Sequence, residues 1–236
     1  MDPVPLKPAP LSLLTGARAR WLGRQPFDAM VARNVAVAAA VARGEAAPEI
    51  AFFEPAAPVY ALGRRAQDSD ARARIAPSLA ACAARQIAVV DVDRGGLGTL
   101  HAPGQIVAFL ALPCSRWQAR QLCADLLRGI KELARDSGVD ARCDLEGDVG
   151  VWSPQGKIAS LGLRLRDDVA QHGVALNVAV DPRLGQGVVL CGKSWIELAN
   201  LEPDAPPAGN AVAIWSRALA RQWQLQLGDD GGWEFP

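Results

Sequence analysis

The sequence predicts an α+β fold in which a mixed β-sheet is flanked by helices. Apolar residues recur every three or four positions in one long segment, 117–137, which is typical of an amphipathic helix. Several shorter segments are apolar throughout or alternate apolar with polar residues, which is typical of strands. In chain order these segments form helix, strands, helix, strands and helix, and this order favours helices packed on a mixed sheet.

Glycine and proline separate the elements in the first half of the chain. A helix is predicted from Phe27 to Arg43, because its pattern stops where Gly44 follows. The proline-rich turn at 54–58 separates two apolar strands, and a short helix leads into a third strand. The three strands are predicted at Ile50–Phe53, Val59–Leu62 and Ile87–Val92, and the short helix at Ser78–Gln86.

The second half contains the clearest element, the helix Trp117–Ser137, which Gly138 follows. A strand is predicted before it at Ile106–Leu112. Three more strands and a last helix are predicted at Val149–Ser153, Lys157–Arg166, Val174–Val180 and Val212–Leu225. We expect one domain over 17–227, with a proline-rich N-terminal arm at 1–16 and a tail at 228–236.

The composition argues against several classes of protein. The 236 residues include 25 Lys+Arg and 25 Asp+Glu, so the zero net charge argues against a general nucleic-acid binder. We find no secretory signal and no run of apolar residues long enough to span a membrane, so we expect a cytoplasmic protein with no membrane partner. Five cysteines without a CxxC pair are typical of reduced thiols, and the two histidines lie in no ligand-spaced cluster, so no metal is expected.

A glycine-rich segment at 94–105 lies between two predicted strands. It contains four glycines, a proline, Arg94 and His101. Glycine permits positive φ and lets another molecule approach the main chain closely. On its own residues, this segment fits a long hairpin loop and a ligand-holding loop equally well.

One lysine and one cysteine suggest nucleophilic chemistry. Lysine is scarce, and Lys157 begins an otherwise apolar strand, while Cys191 ends the apolar run 188–190. Taken singly, they are more simply interpreted as a solvated strand-end lysine and a buried structural cysteine. Taken together, an ammonium group beside a thiol favours the nucleophilic thiolate. This activation is modest, so positioning and oxyanion stabilisation would supply most of the acceleration.

Three separated motifs occur in a consistent order along the chain. They are RGG-x-x-T-x-H-x-P-G-Q at 94–105, K-I-A-S-x-G at 157–162 and C-G at 191–192, with H-G-x-A-L-N at 172–177 before the last. The segments Trp21–Gly23 and Pro58–Arg64 extend the pattern. Together they resemble the lipoyl(octanoyl) transferase family, whose fold is that of the biotin and lipoate protein ligases.

The resemblance implies a catalytic domain that moves an octanoyl group, without a cofactor, in the first step of protein lipoylation. The donor would be octanoyl-acyl carrier protein, and the acceptors would be lysines on lipoyl domains of 2-oxoacid dehydrogenases and on the glycine-cleavage H protein. Cys191 would carry the acyl group as a thioester, and Lys157 would lower its pKa and move protons. The substrate-binding residues would be Arg94, Gly95, Gly96, Leu97, Gly98, Thr99, Leu100, His101, Ser160, Leu161, Gly162, Gly173, Val174 and Ala175.

The chain departs from the family pattern at several positions, including Leu100 and Ala102 within the glycine-rich segment. Two alternatives therefore stay open. One is an ATP-dependent lipoate or biotin ligase, which forms an acyl-adenylate and needs no cysteine. The other is a non-catalytic paralogue that binds carrier proteins. An arginine patch that includes Arg64, Arg65, Arg72 and Arg74 is a candidate surface for an acidic carrier protein.

Overall fold

The computed structural model describes residues 17–188, 198–201 and 209–227. The helices are α1 (Phe27–Ala42), α2 (Ser69–Ala84), α3 (Ala119–Asp136) and α4 (Gly209–Gln222), with short 3-10 helices at Arg64–Gln67 and Pro182–Gly185. The strands are β1 (Arg18–Gln25), β2 (Glu49–Pro55), β3 (Val59–Leu62), β4 (Ala88–Asp91), β5 (Gly98–His101), β6 (Gln105–Pro113), β7 (Arg142–Asp144), β8 (Gly150–Ser153), β9 (Gly156–Arg166), β10 (Val169–Asn177) and β11 (Gln226–Leu227).

The larger sheet has eight strands in the order β11-β1-β2-β6-β10-β9-β8-β7. β1 pairs in parallel with β2 and β11, and every other neighbouring pair in this sheet is antiparallel. A smaller sheet has the order β4-β3-β5, with one parallel and one antiparallel pair. Both sheets are therefore mixed, and the predicted α+β class is confirmed.

Strand β6 shows how the large sheet is covered on both faces. Its alternate residues Ile106, Ala108, Leu110 and Leu112 pack in the core that includes α3 and α4. Val107 and Phe109 lie on the other face, in a cluster with Phe27 and Met30 of α1. Successive side chains of a strand point to opposite faces, so an unbroken apolar run is what a central, doubly covered strand requires.

The predicted helix at Ser78–Gln86 is only the second half of α2. The helix begins at Ser69, where the Asp68 carboxylate accepts hydrogen bonds from the backbone N–H groups of Asp70 and Ala71. This N-cap satisfies backbone donors at the helix start. The first half of α2 is rich in arginine and Pro77 lies within the helix, so the sequence lacks the apolar periodicity that would predict a helix from Ser69.

The start predicted for the strand Val174–Val180 is wrong, because β10 begins at Val169. Asp167 and Asp168 both have positive φ, 51° and 54°, and join β9 to β10 in a tight hairpin. Two consecutive positive-φ residues match the twist of the flanking strands. The Asp-Asp pair lacks the glycine that usually marks such a turn in a sequence. The glycine-rich segment is also not wholly irregular, since it contains β5.

The strands β1, β7 and β11 were not predicted. β1 is arginine-rich, and its Arg24 forms a salt bridge of 3.0 Å with the buried Glu54. Such a strand lacks the apolar alternation that a sequence pattern requires. The predicted arm at 1–16 and tail at 228–236 lie outside the described residues, and no helix within those residues is long and apolar enough to cross a membrane.

Candidate active site

Arg94 fixes the start of the glycine-rich segment. Its side chain is buried, and its guanidinium donates hydrogen bonds to the carbonyl oxygens of Ala61 (2.8 Å) and Gly95 (2.7 Å). The N–H of Gly95 in turn donates to the carbonyl oxygen of Leu163 on β9 (3.1 Å). The segment therefore bridges the small sheet and the large sheet, with an arginine as its anchor.

Gly104 fixes the other end of the segment. Its N–H donates to the buried carboxylate of Glu54 (2.9 Å), and its carbonyl oxygen accepts from the N–H groups of Val178 and Ala179 (both 3.0 Å). Its φ is +85°, and a Cβ here would overlap the Ala179 carbonyl. Both the close approach and the backbone conformation therefore require glycine.

Two adjoining cavities lie along this segment. The larger has a volume of about 600 Å³ and is bounded by α2, α3, the β7–β8 loop and β9. The smaller, of about 20 Å³, lies deeper and is lined by apolar side chains that include Phe27, Val107 and Phe109. The first volume is in the usual range for a ligand pocket. Residues that line both cavities are Arg94, Thr99, Ser160, Leu161 and Gly162.

The structure brings most of the predicted binding residues to these cavities. The larger cavity also receives Gly95, Gly96, Leu97 and Gly98, and the smaller one receives His101, Gly173, Val174 and Ala175. Leu100 is the exception, because its side chain is buried in the cluster around Tyr60 and α2. Since β5 alternates its faces, Thr99 and His101 point to the cavities while Leu100 points away.

The two buried histidines near the cavities are neutral at physiological pH. Burial, with the charge of Arg94 as a smaller cause, lowers the pKa of His101 to about 3 and that of His172 to about 4. A group with so low a pKa is a weak general base. His101 instead stacks on Phe27, with ring centroids 4.4 Å apart, and lies 2.8 Å from the Gln105 amide oxygen.

Lys157 lies at the start of β9 and is only 1% exposed. Its Nζ lies 5.2 Å from the centroid of the Trp152 ring, a cation–π distance. Gly150 on β8 leaves the space that the lysine occupies, because a Cβ there would overlap Lys157 Cε and the Ala159 carbonyl. The lysine is therefore a buried and closely packed group, unlike the solvated strand-end lysine that is usual at such a position.

Asn177 holds the backbone beside this lysine. Its Nδ2 donates to the carbonyl oxygens of Lys157 and Ala199 (both 3.2 Å), and the Ala199 N–H donates to the Lys157 carbonyl (3.1 Å). Leu198 forms a parallel bridge with Lys157. The chain thus runs beside Lys157 at 198–201, seven residues after Cys191. Cys191 itself, the predicted nucleophile, lies outside the described residues.

Other cysteines do not offer an activated thiol. Burial raises the pKa of each of the four that the structure describes: Cys82, Cys114, Cys123 and Cys143. Cys123 alone lines the larger cavity, and its pKa is raised to about 11. Such a thiol is almost entirely protonated at pH 7 and is a poor nucleophile.

Several residues at this site were not singled out from the sequence. Asn177 ends the H-G-x-A-L-N motif, so a sequence signal for it existed. Trp152, Gly150 and Phe27 gave none, because only the tertiary fold brings them to the site. Arg65 and Arg74 were expected in a surface patch, and the structure places them in the wall of the larger cavity. No cluster of three His, Cys, Asp or Glu side chains suited to a metal occurs within the described ranges.

The chain is similar in sequence to one protein family and in fold to several solved structures. The family model of the lipoyl protein ligase A/B catalytic domain matches residues 26–197. A Shewanella loihica octanoyltransferase is 40% identical over 144 residues, which cover 60% of this chain and 65% of that protein. The chain therefore matches just under two thirds of that relative's length.

A second relative is matched over more of its length. The Pseudomonas fluorescens octanoyltransferase is 35% identical over 167 residues, 70% of this chain and 73% of that protein. Among solved structures, a bipartite lipoate protein ligase from Thermoplasma acidophilum has a TM-score of 0.63 at 16% identity. That alignment covers 92% of this chain and 87% of the ligase, which confirms the predicted ligase-like fold.

Proposed function

Because this chain belongs to the lipoyl protein ligase A/B catalytic domain family, we propose that it is an octanoyltransferase. It moves an octanoyl group from acyl carrier protein to a specific lysine of a lipoyl domain. The acceptors are the lipoyl domains of 2-oxoacid dehydrogenases and the glycine-cleavage H protein. The observation that carries the proposal is the match to curated relatives that are named octanoyltransferase at 35–40% identity.

The cavities support this proposal chemically. The deeper one is lined mainly by apolar and aromatic side chains, but its volume of about 20 Å³ holds about one water molecule. The hydrocarbon tail of an acyl group therefore needs the larger cavity, whose walls include Leu97, Val149 and Leu161. The larger one has room for the acyl thioester and for part of the arm that carries it. Predicted binding residues from three separate motifs meet around them. A substrate that is apolar at one end and polar at the other fits this arrangement.

In the first step, the Cys191 thiolate attacks the carbonyl carbon of the octanoyl thioester. The carbon–sulfur bond to the carrier's pantetheine breaks, and that sulfur leaves as a thiolate that takes a proton from the Lys157 ammonium. The product is an octanoyl thioester on Cys191. One thioester replaces another, so this exchange is nearly isoenergetic and needs no ATP.

In the second step, the ε-amine of the acceptor lysine attacks the Cys191 thioester and forms an amide. An unperturbed lysine has a pKa near 10.4, so less than about 0.1% of it is neutral at pH 7. A base must therefore remove a proton as the amine attacks. Lys157, left neutral once it has given its proton to the pantetheine thiolate in the first step, or the departing Cys191 thiolate can take this proton.

Lys157 suits an electrostatic role in both steps. A cation near a thiol favours the thiolate and so raises the fraction of attacking species. The burial of Lys157 strengthens this effect, because a low-dielectric surrounding screens the charge less than water does. The backbone at 198–201 lies against Lys157 and is only a few residues from Cys191 in the chain. This proximity supports their pairing.

Intact-mass spectrometry tests the proposal directly. Incubation with octanoyl-acyl carrier protein is expected to add one octanoyl group, and peptide mapping is expected to find it on Cys191. The Cys191→Ser variant serves as the matched control and should form no thioester. The absence of an adduct on the wild-type chain would contradict the mechanism.

A transfer assay distinguishes this activity from the two alternatives. Transfer from octanoyl-carrier protein to a purified lipoyl domain should proceed without ATP. A strict ATP requirement with free octanoate would instead indicate a ligase. Tight binding of carrier protein with no turnover would indicate a non-catalytic paralogue.

A further inference from the structure

The larger cavity is strongly cationic. Among the described residues, four arginines line it, Arg65, Arg74, Arg94 and Arg120, and one carboxylate does, that of Asp148. An apolar acyl chain makes no favourable electrostatic contact with these guanidinium groups. Three of the arginines are exposed, Arg65 on the 3-10 helix, Arg74 on α2 and Arg120 on α3, whereas Arg94 is buried. The excess of positive charge therefore requires a separate explanation.

Two of the four arginines are already engaged. Arg94 is buried and donates to backbone carbonyl oxygens within the glycine-rich segment. Arg120 forms a salt bridge of 3.0 Å with Glu146. Neither is available as the main partner of a bound anion, which leaves Arg65 and Arg74.

Arg65 and Arg74 are exposed, and neither guanidinium has a carboxylate within ion-pair distance in the part of the chain that the structure describes. Both lie on fixed elements. The backbone N–H of Arg65 donates to the Gly96 carbonyl (3.2 Å), and Arg74 lies one helical turn after Ala71, which also lines the cavity. Two guanidinium groups that no described carboxylate pairs with thus project from one wall of the cavity.

We propose that Arg65 and Arg74 form a subsite for the phosphate of a 4′-phosphopantetheine arm. This inference rests on the proposed function, because it assumes that an acyl-pantetheine thioester enters the cavity. A pantetheine arm carries its thioester at one end and its phosphate at the other. With the acyl group at the buried end of the larger cavity, where Leu97 and Gly98 lie, the phosphate lies at the exposed end, beside Arg65 and Arg74.

The chemistry favours a phosphate as the ligand of these two residues. A guanidinium presents paired N–H donors that match two phosphate oxygens, and it stays charged at every physiological pH. Arg64 and Arg72 are neighbours of similar exposure, yet they do not line the cavity. Recognition of an acidic protein surface would use all four residues, whereas recognition of a phosphate within the cavity uses only Arg65 and Arg74.

The test compares three octanoyl donors with the same lipoyl-domain acceptor: octanoyl-4′-phosphopantetheine, octanoyl-pantetheine and octanoyl-acyl carrier protein. The wild-type enzyme should have a higher kcat/KM with the phosphorylated small donor than with the unphosphorylated one. In the double variant Arg65→Ala/Arg74→Ala, we expect kcat/KM for octanoyl-phosphopantetheine to fall about tenfold, mainly through KM. Octanoyl-pantetheine should be unaffected.

The double variant Arg64→Ala/Arg72→Ala is the matched control, since it removes the same charge from the same two helices. It should keep the wild-type preference for the phosphorylated donor. Equal use of both small donors by the wild-type enzyme would overturn the inference. So would a loss confined to the carrier-protein donor, which would indicate docking of an acidic protein surface.

Failure of the inference and failure of the proposed function give different results. If the chain is not an octanoyltransferase, none of the three donors is used. If only the inference is wrong, all donors are used and the phosphate makes no difference. Calorimetric titration with 4′-phosphopantetheine and with pantetheine provides a readout that needs no turnover, and only the former should bind detectably.

Discussion

The packing of Trp152 against Lys157 leads to a quantitative prediction. The Lys157 ammonium lies 5.2 Å from the indole centroid and is 1% exposed, so the interaction is desolvated. A desolvated cation–π contact contributes about 2 kcal/mol, which corresponds to about a 30-fold change in an equilibrium or rate. We therefore expect Trp152→Leu to lower kcat/KM by about 30-fold if the charge or position of Lys157 serves the reaction.

A second substitution separates this contact from the other role of Trp152. The indole Nε1–H donates to the Asp148 carbonyl oxygen (2.9 Å), and both Trp152→Leu and Trp152→Phe lose that bond. Only the phenylalanine variant keeps an aromatic face beneath the lysine. Trp152→Phe should therefore retain most of the activity that Trp152→Leu loses.

A double-mutant cycle shows whether Trp152 acts through Lys157. Lys157→Met removes the charge and keeps a similar length of side chain. In that background, Trp152→Leu should have almost no further effect, because the two residues share one interaction. If Trp152→Leu costs the same factor with and without Lys157, the effect is one of packing and the reasoning is refuted.

Three other outcomes are expected. Gly150→Ala should lower both the melting temperature and kcat, since its methyl group displaces the buried lysine. Unchanged activity would contradict this. Gly138→Ala is the control, because Gly138 also has a positive φ but its Cβ would meet no atom within 4 Å. Asp68→Ala should cost about 1 kcal/mol in urea unfolding by removing the α2 N-cap, and a smaller loss for Asp68→Asn than for Asp68→Ala would be consistent with it. The pKa values of His101 and His172 are lowered to about 3 and about 4, so the unfolded chain binds protons that the folded chain does not. Stability should therefore fall by about 1.4 kcal/mol per histidine for each pH unit below about 6.5, down to the folded pKa values. Urea unfolding at pH 7, 6 and 5 measures this slope, and His101→Gln should reduce it.

The sequence predicts this fold well where local pattern and tertiary environment agree. The apolar run at 106–112 becomes the central strand β6, and the periodic segment at 117–137 becomes α3. The sequence does not predict an element whose formation depends on its tertiary neighbours. β1 forms from an arginine-rich segment because its neighbours supply hydrogen bonds and a buried carboxylate for Arg24. No local pattern of its own residues contains that information.

The site shows the same division between local and tertiary information. Motifs identify the residues of the glycine-rich segment, but they do not show that Leu100 turns its side chain away from the cavities. That orientation follows from the pairing of β5 with β3. Trp152 likewise lies outside the motifs, and only the pairing of β8 with β9 brings its ring to Lys157. The roles of Cys191 and Lys157 stay predictions.

The two faces of β6 contact different parts of the molecule. Val107 and Phe109 line the deeper cavity, while Ile106 and Ala108 pack in the core with α3 and α4. A change in the size of Val107 or Phe109 alters the space for a ligand and leaves the opposite core face intact. Because Val107 and Phe109 also pack against Phe27 and Met30 of α1, such a change reshapes the cavity and the seat of α1 together, so the size of this cavity is tied to the position of one helix and not to the core beneath α3 and α4.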